Sequence, residues 1–431
     1  MHRSPSVVGG IHKARERLRK SLHELGPGVV TGAADDDPSG IATYSQTGAQ
    51  FGYSLLWTVP LTYPLLTAVQ LISAHIGRVT GAGLAKNINR AFPHPIVSLL
   101  VTILLVANIF NLGADLSAMA GAARLVTGGP SHVFVIVFAL LCVTLQVFVP
   151  YRQYAKVLKW LTLSLFAYVG VVLLVHIDWP RALLGMVWPT NLGREALLTI
   201  VAVFGTTISP YLFFWQSGQE AEDIATSRQH PLRDAPGGAT RQFRRIRFDT
   251  LAGVGFAHVI ALAIILATAA TLHSKGITDI DTAAEAAEAL RPIAGRFASL
   301  LFALGIIGTG LLAVPVLAGS AAFAVGETHG WPTGLEFKPG QATRFYGIVV
   351  AATFIGVTLD WSGLNPIRVL FWSAVLNGVS AVPIMAAMMI VASNRDIMGG
   401  LTERPLLLIS GWVATAVMAA ASIAMLVSLM R

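Results

Sequence analysis

The sequence is poor in charge. Asp, Glu, Lys and Arg make up only 12% of its 431 residues, against 54% hydrophobic residues, a balance that excludes an ordinary soluble domain of this size. A single cysteine, Cys142, excludes an intramolecular disulfide, and its place inside an apolar helix reads as packing. There is no H-E-x-x-H, no nucleophile with a partner base and no Cys/His metal set, which argues against an integral membrane enzyme. Low-complexity and coiled-coil segments are absent too, and no cofactor is implied.

What the chain does have is length of apolar run. About eleven runs are nearly or fully long enough, as helices, to cross roughly 30 Å of hydrocarbon, centred in 26–50, 53–77, 95–123, 133–149, 158–176, 197–216, 251–272, 299–325, 346–359, 369–391 and 406–430. Helices satisfy their own backbone groups, as lipid demands. The expectation is an all-α polytopic membrane protein: a basic tail at 1–25 and one transmembrane domain at 26–431.

The net charge of +8 invites a nucleic-acid reading, but its placement argues otherwise. With the N-terminus inside, the inner segments hold 22 of the 30 Lys and Arg, which puts the C-terminus outside. The basic excess is then a topology signal and a contact with anionic lipid, with no nucleic-acid partner. The first 25 residues carry Arg3, Lys13, Arg15, Arg17, Arg19 and Lys20 without an apolar core, and read as a cytoplasmic tail rather than a cleaved signal.

Two spans contain helix breakers beside polar groups, the arrangement by which a transporter builds a site at mid-membrane. The first holds Asp35, Asp36 and Asp37 followed by Pro38, Ser39 and Gly40; the sixth holds Thr206, Thr207, Ile208, Ser209, Pro210 and Tyr211. Each proline frees carbonyls just upstream, near Ala34 and near Thr206. If the fold is two five-helix repeats of opposite topology, these two spans are equivalent members of the halves. Three carboxylates in a span need hydration, partners or a cation. An alternative puts them in a loop, with the span starting at Ile41; the apolar stretch from Gly28 to Ala34, and the breaks at Gly48 and Gly52, argue against it. Pro60, Pro64, Pro315 and Pro383 read as simple kinks.

With these residues the chain resembles the natural resistance-associated macrophage protein (Nramp) family of divalent metal transporters. The resemblance rests on Gly26-Pro27-Gly28, the Asp37-Pro38 core, the run from Gln70 through Ser73, His75, Gly77 and Arg78 to Gly81, Ala114-Asp115-Leu116, and the Pro210-centred break. It implies a LeuT-like 5+5 inverted repeat with broken first and sixth helices, alternating access, a plasma-membrane location and uptake into the cytoplasm. It also implies an ion held by Asp37 with Ala34, Gly40, Thr206 and Ser209.

The family's Asp-Pro-Gly-Asn reads here Asp37-Pro38-Ser39-Gly40, and its Met-Pro-His reads Ser209-Pro210-Tyr211. The carboxylate is kept; the amide, thioether and imidazole are not. An all-oxygen set suits Mg²⁺ and Mn²⁺ better than softer ions, and Gly40 leaves room for a cation that keeps its waters. In this respect the chain is similar to the Nramp-related magnesium transporters. The family's third-helix glutamate is Ala118 here, and Tyr211 and Gln216 stand where family members carry histidines. Proton coupling is therefore expected to be weak or absent, with Asp35, Asp36 and Asp115 as the remaining proton or vestibule candidates.

Rival readings are a proton-coupled Mn²⁺/Fe²⁺ symporter of ordinary Nramp type and a LeuT-fold carrier of an organic solute. The aspartate cluster would repel an organic anion. Asn377 is open to either a pathway role or interhelical packing, His258 reads as packing, and Glu220, Glu222 and Asp223 as a solvated helix end or a cation-attracting vestibule.

Overall fold

The computed structural model describes residues 32, 34–150, 153 and 162–430. The basic tail, the Gly26–Gly28 opening and the start of the fifth span at Leu158 lie outside the described residues. Among those described, every regular element is a helix. In order they are α1 (Pro38–Phe51), α2 (Thr58–Thr80), α3 (Leu84–Ala91), α4 (His94–Thr127), α5 (Ser131–Phe148), α6 (Phe166–Leu174), α7 (Trp179–Val187), α8 (Arg194–Thr207) and α9 (Pro210–Thr226). There follow α10 (Ala239–Thr271), α11 (Ala283–Glu288), α12 (Arg291–Ala294), α13 (Ala298–Thr328), α14 (Thr343–Val357), α15 (Pro366–Ser393), α16 (Arg395–Met398) and α17 (Pro405–Met430).

Local chemistry sets the ends. Pro38, Pro210 and Pro366 open α1, α9 and α15, where a missing N–H costs nothing and the fixed φ suits the first turn. The Asn365 side chain accepts the Ile367 N–H at 2.9 Å ahead of α15. By contrast, α2, α13 and α15 continue through Pro64, Pro315 and Pro383, so proline alone does not stop a helix here.

Nine helical stretches among the described residues are long and apolar enough to span a bilayer, α8 and α9 counting as one, Arg194–Thr226. Two expected spans fall below that length. The first is cut at its break, so α1 has only 14 residues, although Gly32, Ala34 and Asp35 ahead of it are helical. The fifth is the apolar stretch Leu163–Leu174, whose expected start is undescribed. Val133, Val137 and Leu140 on α5 and Leu406, Ile409 and Val413 on α17 are exposed, an apolar exterior that only lipid would cover. The chain is a multi-pass membrane protein.

The broken helices sit inside. α1 packs on α10, α8 and α15, and α9 packs on α2 and α13. α8 and α15 cross at backbone contact: a Cβ on Gly205 would lie 2.0 Å from the Ala374 carbonyl, and one on Gly378 would lie 2.7 Å from that of Val201. That crossing sits one residue before Thr206, so it sets the height of the second break. Gly205→Val should push the helices apart and lower stability by about 3 kcal/mol or more, at the upper end of overpacking. Thermal unfolding and size-exclusion profiles in detergent measure this; an unchanged melting temperature would mean that the crossing is not tight.

Candidate metal site at the two helix breaks

The first break is made by Asp36 and Asp37. Asp37 is extended, with φ −69° and ψ 170°, and caps α1. Its Oδ1 accepts the Gly40 N–H at 2.7 Å, and its Oδ2 accepts from Nδ2 of Asn111 on α4 at 3.0 Å. Ion-site carboxylates need such donors because an isolated charge in a low-dielectric interior is costly. Asn111 in turn accepts the Ser373 hydroxyl from α15 at 2.8 Å, and Ser373 lies 3.4 Å from Ser39, which donates to the Leu370 carbonyl.

The second break lies at Ile208 and Ser209, between α8 and α9. The Ser209 hydroxyl is 2.7 Å from the Gly205 carbonyl and 2.9 Å from the Thr206 carbonyl, to which it donates. Tyr211 donates to the Ala34 carbonyl at 3.3 Å, which ties the two breaks together. Tyr44 of α1 bonds Thr207 of α8 at 2.8 Å. A Cβ placed on Gly40 would be 3.4 Å from both the Asp35 carbonyl and the Thr206 hydroxyl, so Gly40 leaves a methyl-sized gap between two oxygens.

Of the ten residues singled out from the sequence, six come together here. Asp37, Ala34, Gly40, Thr206, Ser209 and Tyr211 meet at the breaks. Two details differ from expectation. The Ala34 and Thr206 carbonyls freed by the prolines accept side-chain hydroxyls, since an adjacent O–H satisfies a freed carbonyl at little cost. The group at position 206 without a hydrogen-bond partner is the hydroxyl. Asp35 and Asp36 are buried, at 1% exposure each, and both Asp36 oxygens lack a hydrogen-bond partner. Asp115 is buried one turn beyond Asn111 with both oxygens likewise unpartnered. Gln216 is buried on α9. Among the described residues no three His, Cys, Asp or Glu side chains are placed to hold a metal together. A cation at the breaks would therefore meet fewer than three such side chains, with neutral oxygens completing its shell. Asn111, Ser373 and Tyr44 were not singled out from the sequence.

The Gln70–Gly81 run has a structural use. Ser73 donates to the Phe213 carbonyl at 2.5 Å, and Gly77 lies against Ser217. Arg78 pairs with Asp223 at 3.0 Å, and Arg245 of α10 pairs with Glu220 at 2.6 Å. Glu220 is thus neither solvated nor lining an open vestibule, but part of a buried ion network joining α2, α9 and α10. Glu222 accepts the Glu336 N–H at 2.7 Å. His258 bonds the Val254 carbonyl and Thr62, which is packing. Asn377 is buried with neither amide atom hydrogen-bonded.

Two cavities lie along the helices that follow the breaks. One of about 510 Å³ is lined by Ile41, Ala42 and Ser45 of α1, with Arg124, Asp281 and Leu370. The other, about 330 Å³, is lined by Gly218 and Glu222 of α9, with Lys86, Glu327 and Glu336. α1 leads into the start of α2, whereas α9 meets the end of α2 at Gly77 and Arg78. The cavities therefore open toward opposite ends of the bundle.

The sequence model for natural resistance-associated macrophage protein-like chains matches residues 28–428. The chain belongs to the Nramp family. Relatives include the divalent metal cation transporter MntH of Deinococcus radiodurans, 27% identical and covering 94% of this chain and 89% of its own. That of Klebsiella pneumoniae is also 27% identical, with 96% and 95% covered. Among solved structures, the manganese transporter of Eremococcus coleocola superposes with a TM-score of 0.74 at 17% identity, over 95% of this chain and 87% of that one. MhsT in complex with L-phenylalanine superposes with a TM-score of 0.63 at 12% identity, over 94% and 98%. Such structural likeness carries the fold, the LeuT-like architecture that Nramp chains share with carriers of organic solutes.

Proposed function

We propose that this Nramp chain carries a divalent metal ion across the plasma membrane by alternating access, with Mg²⁺ or Mn²⁺ as the cargo, uptake into the cytoplasm and little or no proton coupling. The single observation that carries the reading is Asp37: a carboxylate at 2% exposure, at the meeting of two helix breaks, with backbone and hydroxyl oxygens beside it. Ser209 and Tyr211 bring neither sulfur nor a titrating imidazole to the second break, and an oxygen set favours hard cations. Gly40 places no side chain between the Asp35 carbonyl and the Thr206 hydroxyl, which leaves those oxygens free of an intervening group. The relatives named as divalent metal cation transporters support the class of cargo. The positive-inside bias supports a cytoplasmic tail at 1–25 and an external C-terminus, and the two cavities supply approach paths from the two sides.

In this mechanism an ion enters through one cavity, exchanges some of its water for Asp37 and neighbouring oxygens, and leaves through the other when α1 and α9 shift. Wild-type protein in liposomes should take up Mg²⁺ or Mn²⁺. Asp37→Asn should reduce uptake at least a hundredfold, because a neutral amide cannot replace the charge, while leaving a monodisperse, folded protein; uptake at the wild-type rate would remove the site assignment. Ser209→Met should move preference toward Mn²⁺ and Cd²⁺ relative to Mg²⁺, read by competition in the same vesicles. An unchanged order would mean that residue 209 does not face the ion.

Coupling to protons needs a group that changes protonation between the two states. With no histidine at positions 211 or 216 and alanine at 118, only Asp35, Asp36 and Asp115 remain for that role. Metal entry should therefore not acidify the vesicle lumen. Stoichiometric acidification that disappears in Asp115→Asn would contradict this and restore an ordinary proton-coupled mechanism.

A further inference from the structure

The partners of Asp37 divide by helix. Oδ1 is held by the backbone of its own helix, at Gly40, and Oδ2 by a side chain of another, Asn111. Asn111 is fully buried and has both ends of its amide committed, Nδ2 to Asp37 and Oδ1 to the Ser373 hydroxyl. A carboxylate accepts only, so the amine end must face Asp37 and the carbonyl end must face a donor; Ser373 provides one. Its single proton lies between Asn111 Oδ1 and the Leu370 carbonyl at 2.7 Å, and the hydroxyl lies beside Ser39, two residues from Asp37. The result is a closed circuit running α1–α4–α15–α1.

We propose that Asn111 is a positioning residue of the ion site: its amide, itself oriented by Ser373, fixes the rotation of the Asp37 carboxylate and so the direction of the lone pairs left for a cation. The inference deepens the reading of Asp37 as the ion-holding group. Each Asp37 oxygen accepts a short hydrogen bond, from Gly40 and from Asn111, and the lone pairs these leave are the ones a cation would meet. With the Asn111 contact removed, the carboxylate would lose its one donor from α4 and keep those near the breaks, the Gly40 N–H and the weaker contacts of Tyr211 and the Ser39 N–H, so that its terminal torsion, where rotational preference is weak, would be less constrained. The ion would then pay the ordering that Asn111 now provides, and affinity would fall.

Asn108, one turn earlier on α4, supplies the comparison. It is equally buried and bonds the Leu317 carbonyl at 3.0 Å and Ser320 at 2.8 Å on α13, away from Asp37. A merely structural asparagine and a positioning one therefore occupy the same helix.

The test is initial-rate uptake of Mg²⁺ and Mn²⁺ into proteoliposomes holding wild type, Asn111→Leu, Ser373→Ala or Asn108→Leu, with melting temperatures measured on the same preparations. Asn111→Leu keeps the size and removes both hydrogen bonds; it should raise KM roughly tenfold, the equivalent of one hydrogen bond to a charge, with maximal rate within about twofold. Ser373→Ala should raise KM in the same direction by less. Asn108→Leu should lower the melting temperature and leave KM unchanged. A wild-type KM in Asn111→Leu, or equal KM changes in Asn111→Leu and Asn108→Leu, would overturn the proposal. Wild-type vesicles that take up neither ion would overturn the reading of Asp37 and this inference with it.

Discussion

A buried carboxylate must be given donors or a cation, and the whole site follows from how Asp37 meets that demand. Its charge lies where hydrocarbon and packed helices exclude water, so its oxygens draw a backbone N–H from Gly40 and an amide from Asn111. The Gly40 contact exists because Pro38 restarts the helix and leaves the first amides pointing back at residue 37. The Asn111 contact exists because α4 passes the break within hydrogen-bonding distance. The groups contributed by the second break are neutral, and the further carboxylates, Asp35, Asp36 and Asp115, are buried close by, so the cation's second charge is balanced by one of these or offset by the waters it retains.

Such a site needs two broken helices held at one height while remaining free to move against the rest. Tyr211 to Ala34 and Tyr44 to Thr207 join the breaks to each other. The Gly205–Gly378 crossing fixes α8 against α15. At the far end of α9 the network of Arg78, Glu220, Asp223 and Arg245 fastens it to α2 and α10, and a buried pair of this kind is costly to break once one partner is lost. The cavity beside Glu222 adjoins this network, so opening a path there requires the ends of α2, α9 and the loop at Glu336 to part.

How much of this was legible in the sequence depended on the kind of signal. Apolar run length marked the spans well where a helix is continuous and poorly where it is not: the first span is divided at Asp36 and Asp37. Proline beside polar residues located both breaks, whereas Pro64, Pro315 and Pro383 stay inside helices; Pro64 follows Thr62 and Tyr63, so a hydroxyl next to proline is not by itself a sign of a break. Asp37 was found because a carboxylate is unusual in lipid, Thr206 because Pro210 frees its carbonyl, and Gly40 because it stands in the family's Asp-Pro motif. Asn111 was not, because one asparagine in a long apolar helix looks the same whether it faces a carboxylate or, like Asn108, a carbonyl. The same limit applied to the freed carbonyls: their position followed from proline chemistry, but the hydroxyls of Ser209 and Tyr211 that satisfy them are set by side-chain rotamers. Burial of Asp35 and Asp36 depends on tertiary packing, which adjacency in sequence does not encode.

The central claim is that the ion sits where the two breaks meet. Crystals of the protein soaked in Mn²⁺ and measured at an energy where manganese scatters anomalously would locate the ion directly. The account requires one strong anomalous peak within coordinating distance of the Asp37 carboxylate, on the side of Gly40 and Thr206, and its loss in Asp37→Asn. A peak confined to the Glu220–Asp223 cluster or to Asp115, with none at Asp37, would contradict it.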